Sequence, residues 1–125
     1  MGDPLGIGPE VVVKALADAA LRGAARFVVY GDNELMLAAA DKARIHPTWF
    51  RASSDHARDG SMVLGDFTVI DYGIAGTLGA DREPSKAGGL ASKTFVEDAI
   101  QDALRPNGDP RRLDAVVTAP ISKES

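Results

Sequence analysis

Three glycines, two prolines and an acidic residue stand together near the start of the chain, in Gly-Asp-Pro-Leu-Gly-Ile-Gly-Pro-Glu at residues 2–10. Glycine lets backbone N–H groups approach an anion closely, and Pro9 suits the first position of a helix, whose N-terminus carries partial positive charge. This opening loop therefore predicts an anion-binding site lined by Asp3, Gly6 and Gly8. For Asp3, a turn formed with the proline after it is an equal alternative.

Two later segments contain hydroxyl and ammonium groups. In the first these groups flank a pair of glycines, and in the second they end or follow the last predicted strand. Residues 85–93 read Ser-Lys-Ala-Gly-Gly-Leu-Ala-Ser-Lys. This segment favours either a phosphate-binding loop that includes Ser92 or the first turn of a helix, where glycine avoids steric conflict. Thr118 and Lys123 follow the last apolar run. We expect both to line the same pocket as the opening loop, although a solvated helix face is the alternative for Lys123.

Two nucleotide-binding motifs are not matched. Gly6 and Gly8 would begin the dinucleotide fingerprint G-x-G-x-x-G, but Val11 stands at its third glycine. Asp32, after the next apolar run, imitates the ribose-binding acid of that fingerprint, yet we favour its interpretation as the cap of a helix. No G-x-x-x-x-G-K-[ST] segment occurs, which excludes a P-loop.

Composition limits the partners and the metal chemistry. The 125 residues carry a net charge of −4 without a basic stripe, so we expect no nucleic-acid partner. No apolar run of about 18 residues and no signal pattern occurs, which predicts no membrane partner and a cytoplasmic location. There is no cysteine. His46 and His56 lie at no recognised ligand spacing, so we expect surface histidines and no metal site within this chain.

Alternating helices and short apolar strands must position these groups. The patterns predict helices over 9–21, 34–43 and from 85 or 91 to 104, and the start of another at 121–125. They predict strands over 27–30, 48–51, 67–70 and 113–118, with loops and turns elsewhere between 45 and 60. The expected class is α/β, with a largely parallel sheet flanked by helices. Because ligands gather at the carboxyl ends of parallel strands, the opening loop and Thr118 should share that edge.

Three segments, in this order and spacing, resemble the 4-hydroxythreonine-4-phosphate dehydrogenase family. They are the opening loop, Ser-Lys-Ala-Gly-Gly-Leu-Ala-Ser-Lys-Thr-Phe-Val-Glu-Asp-Ala-Ile at 85–100, and Val-Thr-Ala-Pro-Ile-Ser-Lys-Glu at 117–124. The first and third are specific and the second is looser, while Leu5 replaces the usual alanine. The resemblance implies part of an isocitrate/isopropylmalate dehydrogenase-like fold. It also implies that residues 1–125 are a single fragment from the N-terminal part of a longer two-domain enzyme.

The same resemblance implies an activity. The intact enzyme would use NAD and a divalent metal ion (Zn, Mg or Co) to oxidise 4-phosphohydroxy-L-threonine, with loss of CO₂, on the route to pyridoxal 5′-phosphate. It would be a homodimer with its active site between domains. The family's substrate-binding Gly-His-Thr-Glu motif and metal-binding histidines would follow Ser125. The resemblance therefore assigns no catalytic residue and no metal ligand to this chain, and we expect the isolated chain to be inactive.

Other functions stay open. A paralogous dehydrogenase of D-erythronate 4-phosphate or D-threonate 4-phosphate shares the same three segments. Phosphate acyltransferases resemble the same overall fold, so a phosphate-binding or acyltransferase-like domain is an alternative of another class. A third alternative is a fragment without catalytic function. The substrate-contacting residues that would separate the dehydrogenases lie outside this sequence.

Overall fold

A computed structural model describes residues 1–2, 7–59, 65–74 and 86–119. Its elements, in chain order, are α1 (Gly8–Leu16), α2 (Ala19–Ala24), β1 (Phe27–Gly31), α3 (Asn33–Ala43), β2 (Phe50–Ser53), α4 (Ser54–Asp59), β3 (Phe67–Asp71) and α5 (Lys86–Ala103). The predicted α/β class is confirmed, while the likeness to isocitrate dehydrogenase stays a prediction. Within these ranges no helix combines the length and the apolar character that crossing a bilayer requires.

The sheet has three parallel strands in the order β1-β3-β2. Phe27 of β1 pairs with Phe67 of β3, and Phe50 of β2 pairs with Thr68. The first four residues of the central strand β3 are all buried. A continuous apolar run is the pattern expected for a parallel strand that is covered on both faces.

Helices cover both faces of this sheet. Side chains alternate along a strand, so Phe67 and Val69 face one way while Thr68 and Ile70 face the other. The first face meets α1 and α3, which also pack on each other. The second face meets α4 and α5. The hydrophobic core between these layers consists of Val13, Leu16, Val29, Tyr30, Met36, Ala40, Ala57, Phe67, Val69, Ile70, Phe95 and Ala99, with Met1 beside it.

The single helix predicted over 9–21 is wrong. The chain leaves the helix at Asp18, whose backbone is extended (φ −72°, ψ 112°), and begins again as α2. The Asp18 carboxylate accepts hydrogen bonds from the N–H groups of Ala20 at 2.9 Å and Leu21 at 3.4 Å. Asp18 is therefore an N-cap. Lys14 pairs with Glu10, one turn earlier in α1, at 3.1 Å.

The strand predicted over 113–118 is also wrong. Residues 115–119 form neither helix nor strand, and Val117 is 91% exposed. A β-favouring sequence forms a strand only where a neighbour supplies ladder hydrogen bonds, and none of the described strands lies beside this segment. The helix start predicted at 121–125 lies outside the described residues.

The 45–60 region contains a helix where loops were predicted. The hydroxyl of Ser53 accepts a hydrogen bond from the N–H of Asp55 at 3.2 Å, and α4 begins between them at Ser54. The short strand predicted over 48–51 exists, but it lies at Phe50–Ser53. The helix predicted from 85 or 91 to 104 is α5, and its start at Lys86 confirms the earlier of the two predicted starts.

A buried polar cluster fastens α5 to the sheet. Asp102 on α5 is 7% exposed and accepts hydrogen bonds from the hydroxyl of Tyr30 at 2.5 Å, from Nη2 of Arg111 at 3.1 Å and from Nε of Arg105 at 2.8 Å. Nη1 of Arg111 donates to the carbonyl oxygen of Ala57 at 2.8 Å. The cluster therefore joins β1, α4, α5 and the turn that follows α5.

Candidate functional site at the carboxyl edge of the sheet

Asp32 follows the carboxyl end of β1 and is 1% exposed. One carboxylate oxygen accepts the N–H of Leu35 at 3.0 Å, and the other accepts the N–H of Ile74 at 2.7 Å. The first bond caps α3, and the second holds the chain where it leaves β3. The favoured interpretation of Asp32 as a helix cap is confirmed, and its carboxylate is not presented to a ribose.

Asp71 ends β3 and organises the same edge. Its Oδ1 accepts the N–H groups of Asn33 at 3.1 Å and Gly73 at 3.0 Å, and its Oδ2 accepts Nε of Arg51 at 2.7 Å. Burial alone would raise the pKa of Asp71, but the bonds from Asn33, Arg51 and Gly73 outweigh it and hold that pKa below 3.8. The side chain of Asn33 in turn accepts Nε1 of Trp49 at 2.7 Å.

The sequence reasoning did not single out Asp71. The signal was nevertheless present, because Asp71 ends an apolar strand and stands two residues before Gly73. Asp32 likewise stands at the end of an apolar strand, directly after Gly31. An acid at the end of a buried strand is well placed to accept N–H groups from the loop that follows.

The opening loop starts at this edge. The backbone nitrogen of Met1 donates to the carbonyl oxygen of Tyr30 at 3.0 Å. A Cβ atom at Gly31 would lie 2.6 Å from the sulfur and 2.7 Å from the Cβ atom of Met1, so a side chain at Gly31 would force Met1 to shift. The loop thus leaves the sheet beside the last two residues of β1.

Gly8, within the opening loop, is the buried first residue of α1. Leu16, the last residue of α1, lines a cavity with Phe67, which is at the amino end of β3. A nine-residue helix is about 13 Å long, and this length separates Gly8 from the end of α1 that lines the cavity. Asp3 and Gly6 lie outside the described residues.

Ser92 lies beyond the carboxyl ends of the strands. Phe95 packs on the ring of Tyr72, which directly follows β3, with ring centroids 5.0 Å apart. Asp102 lies further back along β1, at Tyr30. The helix α5 therefore runs antiparallel to the strands, and Ser92 is one turn before Phe95. Ser92 is 2% exposed, and its hydroxyl has no hydrogen-bond partner in the described part of the chain.

Of the remaining predicted site residues, Thr118 is among those that the structure describes, and it is exposed in a segment that is neither helix nor strand. Lys123 lies outside the described residues. Ser92 lies one turn before Phe95, which packs beside the carboxyl end of β3. A pocket that Ser92 shares with Asp3, Gly6, Gly8, Thr118 and Lys123 stays a prediction.

The carboxyl edge offers donors rather than metal ligands. Across residues 1–2, 7–59, 65–74 and 86–119, no three acidic or imidazole side chains are grouped so that they could hold a metal ion. His46 is exposed. The carboxylates of Asp32 and Asp71 already accept N–H donors, so these two side chains fit neither a metal ion nor the ribose of a dinucleotide.

Sequence comparison relates the chain to dehydrogenases of phosphorylated hydroxy acids. It is 33% identical over 129 residues to 4-hydroxythreonine-4-phosphate dehydrogenase of Synechococcus sp. (strain JA-3-3Ab), covering 98% of this chain and 32% of that protein. It is 36% identical over 127 residues to D-threonate 4-phosphate dehydrogenase of Salmonella typhimurium, covering 100% of this chain and 36% of that protein. A 4-hydroxythreonine-4-phosphate dehydrogenase of Aquifex aeolicus is 27% identical over 124 residues and covers 98% of this chain.

No family model and no solved structure matches the chain. The chain spans about a third of the length of the curated relatives it matches. Both groups of relatives align with essentially the whole chain, including the opening loop and the segments that contain Ser92 and Thr118. Along essentially its whole length, the chain is therefore similar in sequence to 4-hydroxythreonine-4-phosphate dehydrogenases and to D-threonate 4-phosphate dehydrogenases.

Proposed function

We propose that residues 1–125 form one wall of the substrate site of a dehydrogenase that acts on a small 4-phosphorylated hydroxy acid, with 4-phosphohydroxy-L-threonine as the substrate. The observation that carries this proposal is the similarity, over essentially the whole chain, to two groups of dehydrogenases. Their names share one chemical feature, a hydroxy acid with a phosphate on carbon 4. A site for that phosphate is the part that this chain supplies.

The hydroxyl of Ser92 supports a phosphate site at the carboxyl edge. It is a buried donor without an acceptor among the described residues, and a phosphate oxygen would supply that acceptor. The N-terminus of α1 at Gly8 offers N–H groups and partial positive charge, and we assign it to the same phosphate site. The carboxylates of Asp32 and Asp71 are engaged with donors, which reduces their repulsion of an anion.

The proposed reaction needs groups that lie outside the described side chains. NAD would accept the hydride, and a divalent metal ion would polarise the substrate alcohol. The product β-keto acid of 4-phosphohydroxy-L-threonine would then lose CO₂. We place this enzyme in the cytoplasm as a homodimer, as the family resemblance implies. The role of residues 1–125 in it is to bind and orient the phosphorylated acid.

Nuclear magnetic resonance of the ¹⁵N-labelled 125-residue chain tests this proposal. The probes are 4-phosphohydroxy-L-threonine, D-threonate 4-phosphate, D-erythronate 4-phosphate and, as the matched control, 4-hydroxy-L-threonine without phosphate. We expect the phosphorylated acids to shift the amide signals of Gly8 and Ser92 and the control to leave them unchanged. Equal binding of the control, or no shift with any phosphorylated acid, would overturn the proposal.

The D-threonate branch is a second candidate. The chain is 36% identical to a member of that branch and 33% identical to a member of the other, and these values do not separate the two. The ratio of dissociation constants for 4-phosphohydroxy-L-threonine and D-threonate 4-phosphate decides between them. Binding of acetyl phosphate alone would instead favour the acyltransferase-like alternative.

A further inference from the structure

A cavity of about 200 Å³ lies at the amino edge of the sheet, opposite the carboxyl edge. Leu16 ends α1, Phe67 begins β3, and Trp49 precedes β2, and these three side chains form its apolar walls. The rings of Trp49 and Phe67 pack on each other with centroids 5.6 Å apart. The cavity is therefore separate from the proposed substrate site.

Arg22 brings an unpaired positive charge to this cavity. Its Nη1 donates to the hydroxyl of Thr48 at 2.7 Å, but its buried Nε has no hydrogen-bond partner in the described part of the chain. None of the ion pairs between described residues includes Arg22. A buried donor without an acceptor is costly, and a guanidinium without a counter-ion is more so.

The charge of Arg22 favours an anion. Nη1 is engaged by Thr48 and Nε is buried, so Nη2 is the guanidinium nitrogen that is left for a ligand. Its N–H groups can donate a charge-assisted hydrogen bond to a carboxylate oxygen. The apolar walls beside it suit the hydrocarbon part of the same molecule, and the volume limits that part to a small group.

We propose that this cavity binds a small monocarboxylic acid with a compact apolar body. The carboxylate accepts a hydrogen bond from Nη2 of Arg22, and the apolar body packs between Leu16, Trp49 and Phe67. His46 lies exposed at the rim. The proposal does not depend on the proposed dehydrogenase function, because it uses none of the residues at the carboxyl edge.

Trp49 is the single tryptophan of the chain, so its fluorescence reports on this cavity. The probe is cyclohexanecarboxylate, which does not absorb where tryptophan is excited. We expect a saturable change in Trp49 fluorescence with a dissociation constant on the order of 1 mM. Cyclohexylmethanol tests whether the apolar body suffices, and acetate tests whether the carboxylate suffices. Both should bind at least about tenfold more weakly.

Arg22→Gln should weaken cyclohexanecarboxylate binding at least about tenfold, while Arg26→Gln, in the exposed segment after α2, should leave it unchanged. Arg22→Lys keeps the charge without the planar guanidinium and should bind with intermediate affinity. Circular dichroism verifies that each variant is folded. If Arg22→Gln is not folded, the affinity of Arg22→Lys decides the test. No saturable change in the wild type, equal binding of the alcohol, or wild-type affinity in a folded Arg22 variant would overturn the proposal.

Discussion

The hydroxyl of Tyr30 on β1 donates to the carboxylate of Asp102 on α5 at 2.5 Å, across a separation of 72 residues along the chain. Burial, and after it the bond to Asp102, raises the pKa of Tyr30 above its usual range, so this hydroxyl stays protonated and remains a donor. Arg111 and Arg105 bind the same carboxylate. The bond to Asp102 in turn raises the pKa of Arg105.

Tyr30→Phe is expected to lower the free energy of unfolding by about 1–3 kcal/mol, because it removes a donor from a buried carboxylate. Tyr72→Phe is the matched control, since the hydroxyl of Tyr72 donates to Asp98 at 2.6 Å in a less buried setting. Its cost should be about 1 kcal/mol or less. Urea unfolding of both variants provides the measurement. A larger loss in Tyr72→Phe than in Tyr30→Phe would contradict this ranking.

Arg111→Met is expected to cost about 3–5 kcal/mol, because it breaks a buried ion pair and leaves Asp102 with one cation fewer. The neighbouring Arg112 lies 3.9 Å from Asp114, whose side chain is 99% exposed. Arg112→Met should therefore change stability by less than about 0.5 kcal/mol. Guanidinium chloride unfolding compares the pair. Similar losses in the two variants would show that the buried pair contributes no more than an exposed one.

Asp71 makes the folded chain sensitive to acid. Its pKa in the folded chain lies below the value of 3.8 in the unfolded chain, so the unfolded chain binds more protons as the pH falls. The stabilisation is complete above the unfolded pKa and is lost as the pH falls through the folded one. Asp71→Asn should therefore flatten the decline of unfolding free energy below about pH 5, while Asp114→Asn should not. An unchanged profile in Asp71→Asn would exclude this role.

Arg44 ends α3 in the left-handed conformation, with φ 57° and ψ 41°. The N–H of Ile45 bonds to the carbonyl oxygen of Ala40 at 2.8 Å, which is the closing bond of a helix C-terminal motif that usually contains glycine. Arg44→Gly should raise the melting temperature, with a gain of about 0.5–1 kcal/mol in unfolding free energy, and Arg44→Val should lower both. Destabilisation by glycine would show that the arginine side chain has a contact that outweighs the backbone strain.

The elements that the sequence predicted correctly are those with a strong local signal. The apolar run at Phe67 has few alternatives to a buried strand, and the cap at Asp32 combines an acid with the start of a helical pattern. Asp18 was ambiguous because one side chain serves equally on a helix surface and as a cap, and only the extended backbone decides. The segment around Val117 has strand composition, but pairing depends on a neighbour that composition does not reveal.

The candidate site was predictable in position but not in chemistry. Parallel topology predicts that the chain segments leaving β1 and β3 lie at the carboxyl edge, where the structure shows Asp32 and Asp71. The partners of those acids were not predictable, because the N–H of Ile74 reaches Asp32 over 42 residues. Ser92 was selected for its hydroxyl, whereas its burial and its lack of a partner became evident only in the folded chain.

Calorimetric titration of 4-phosphohydroxy-L-threonine into the wild type, Ser92→Ala and Thr94→Ala tests most directly whether the carboxyl edge binds the phosphorylated acid. The Ser92 hydroxyl has no partner among the described residues, so its removal should not unfold the chain. Thr94 is the control because its hydroxyl already donates to the carbonyl oxygen of Leu90 at 3.0 Å. We predict at least about tenfold weaker binding in Ser92→Ala and unchanged binding in Thr94→Ala. Wild-type affinity in a folded Ser92→Ala chain would contradict the site.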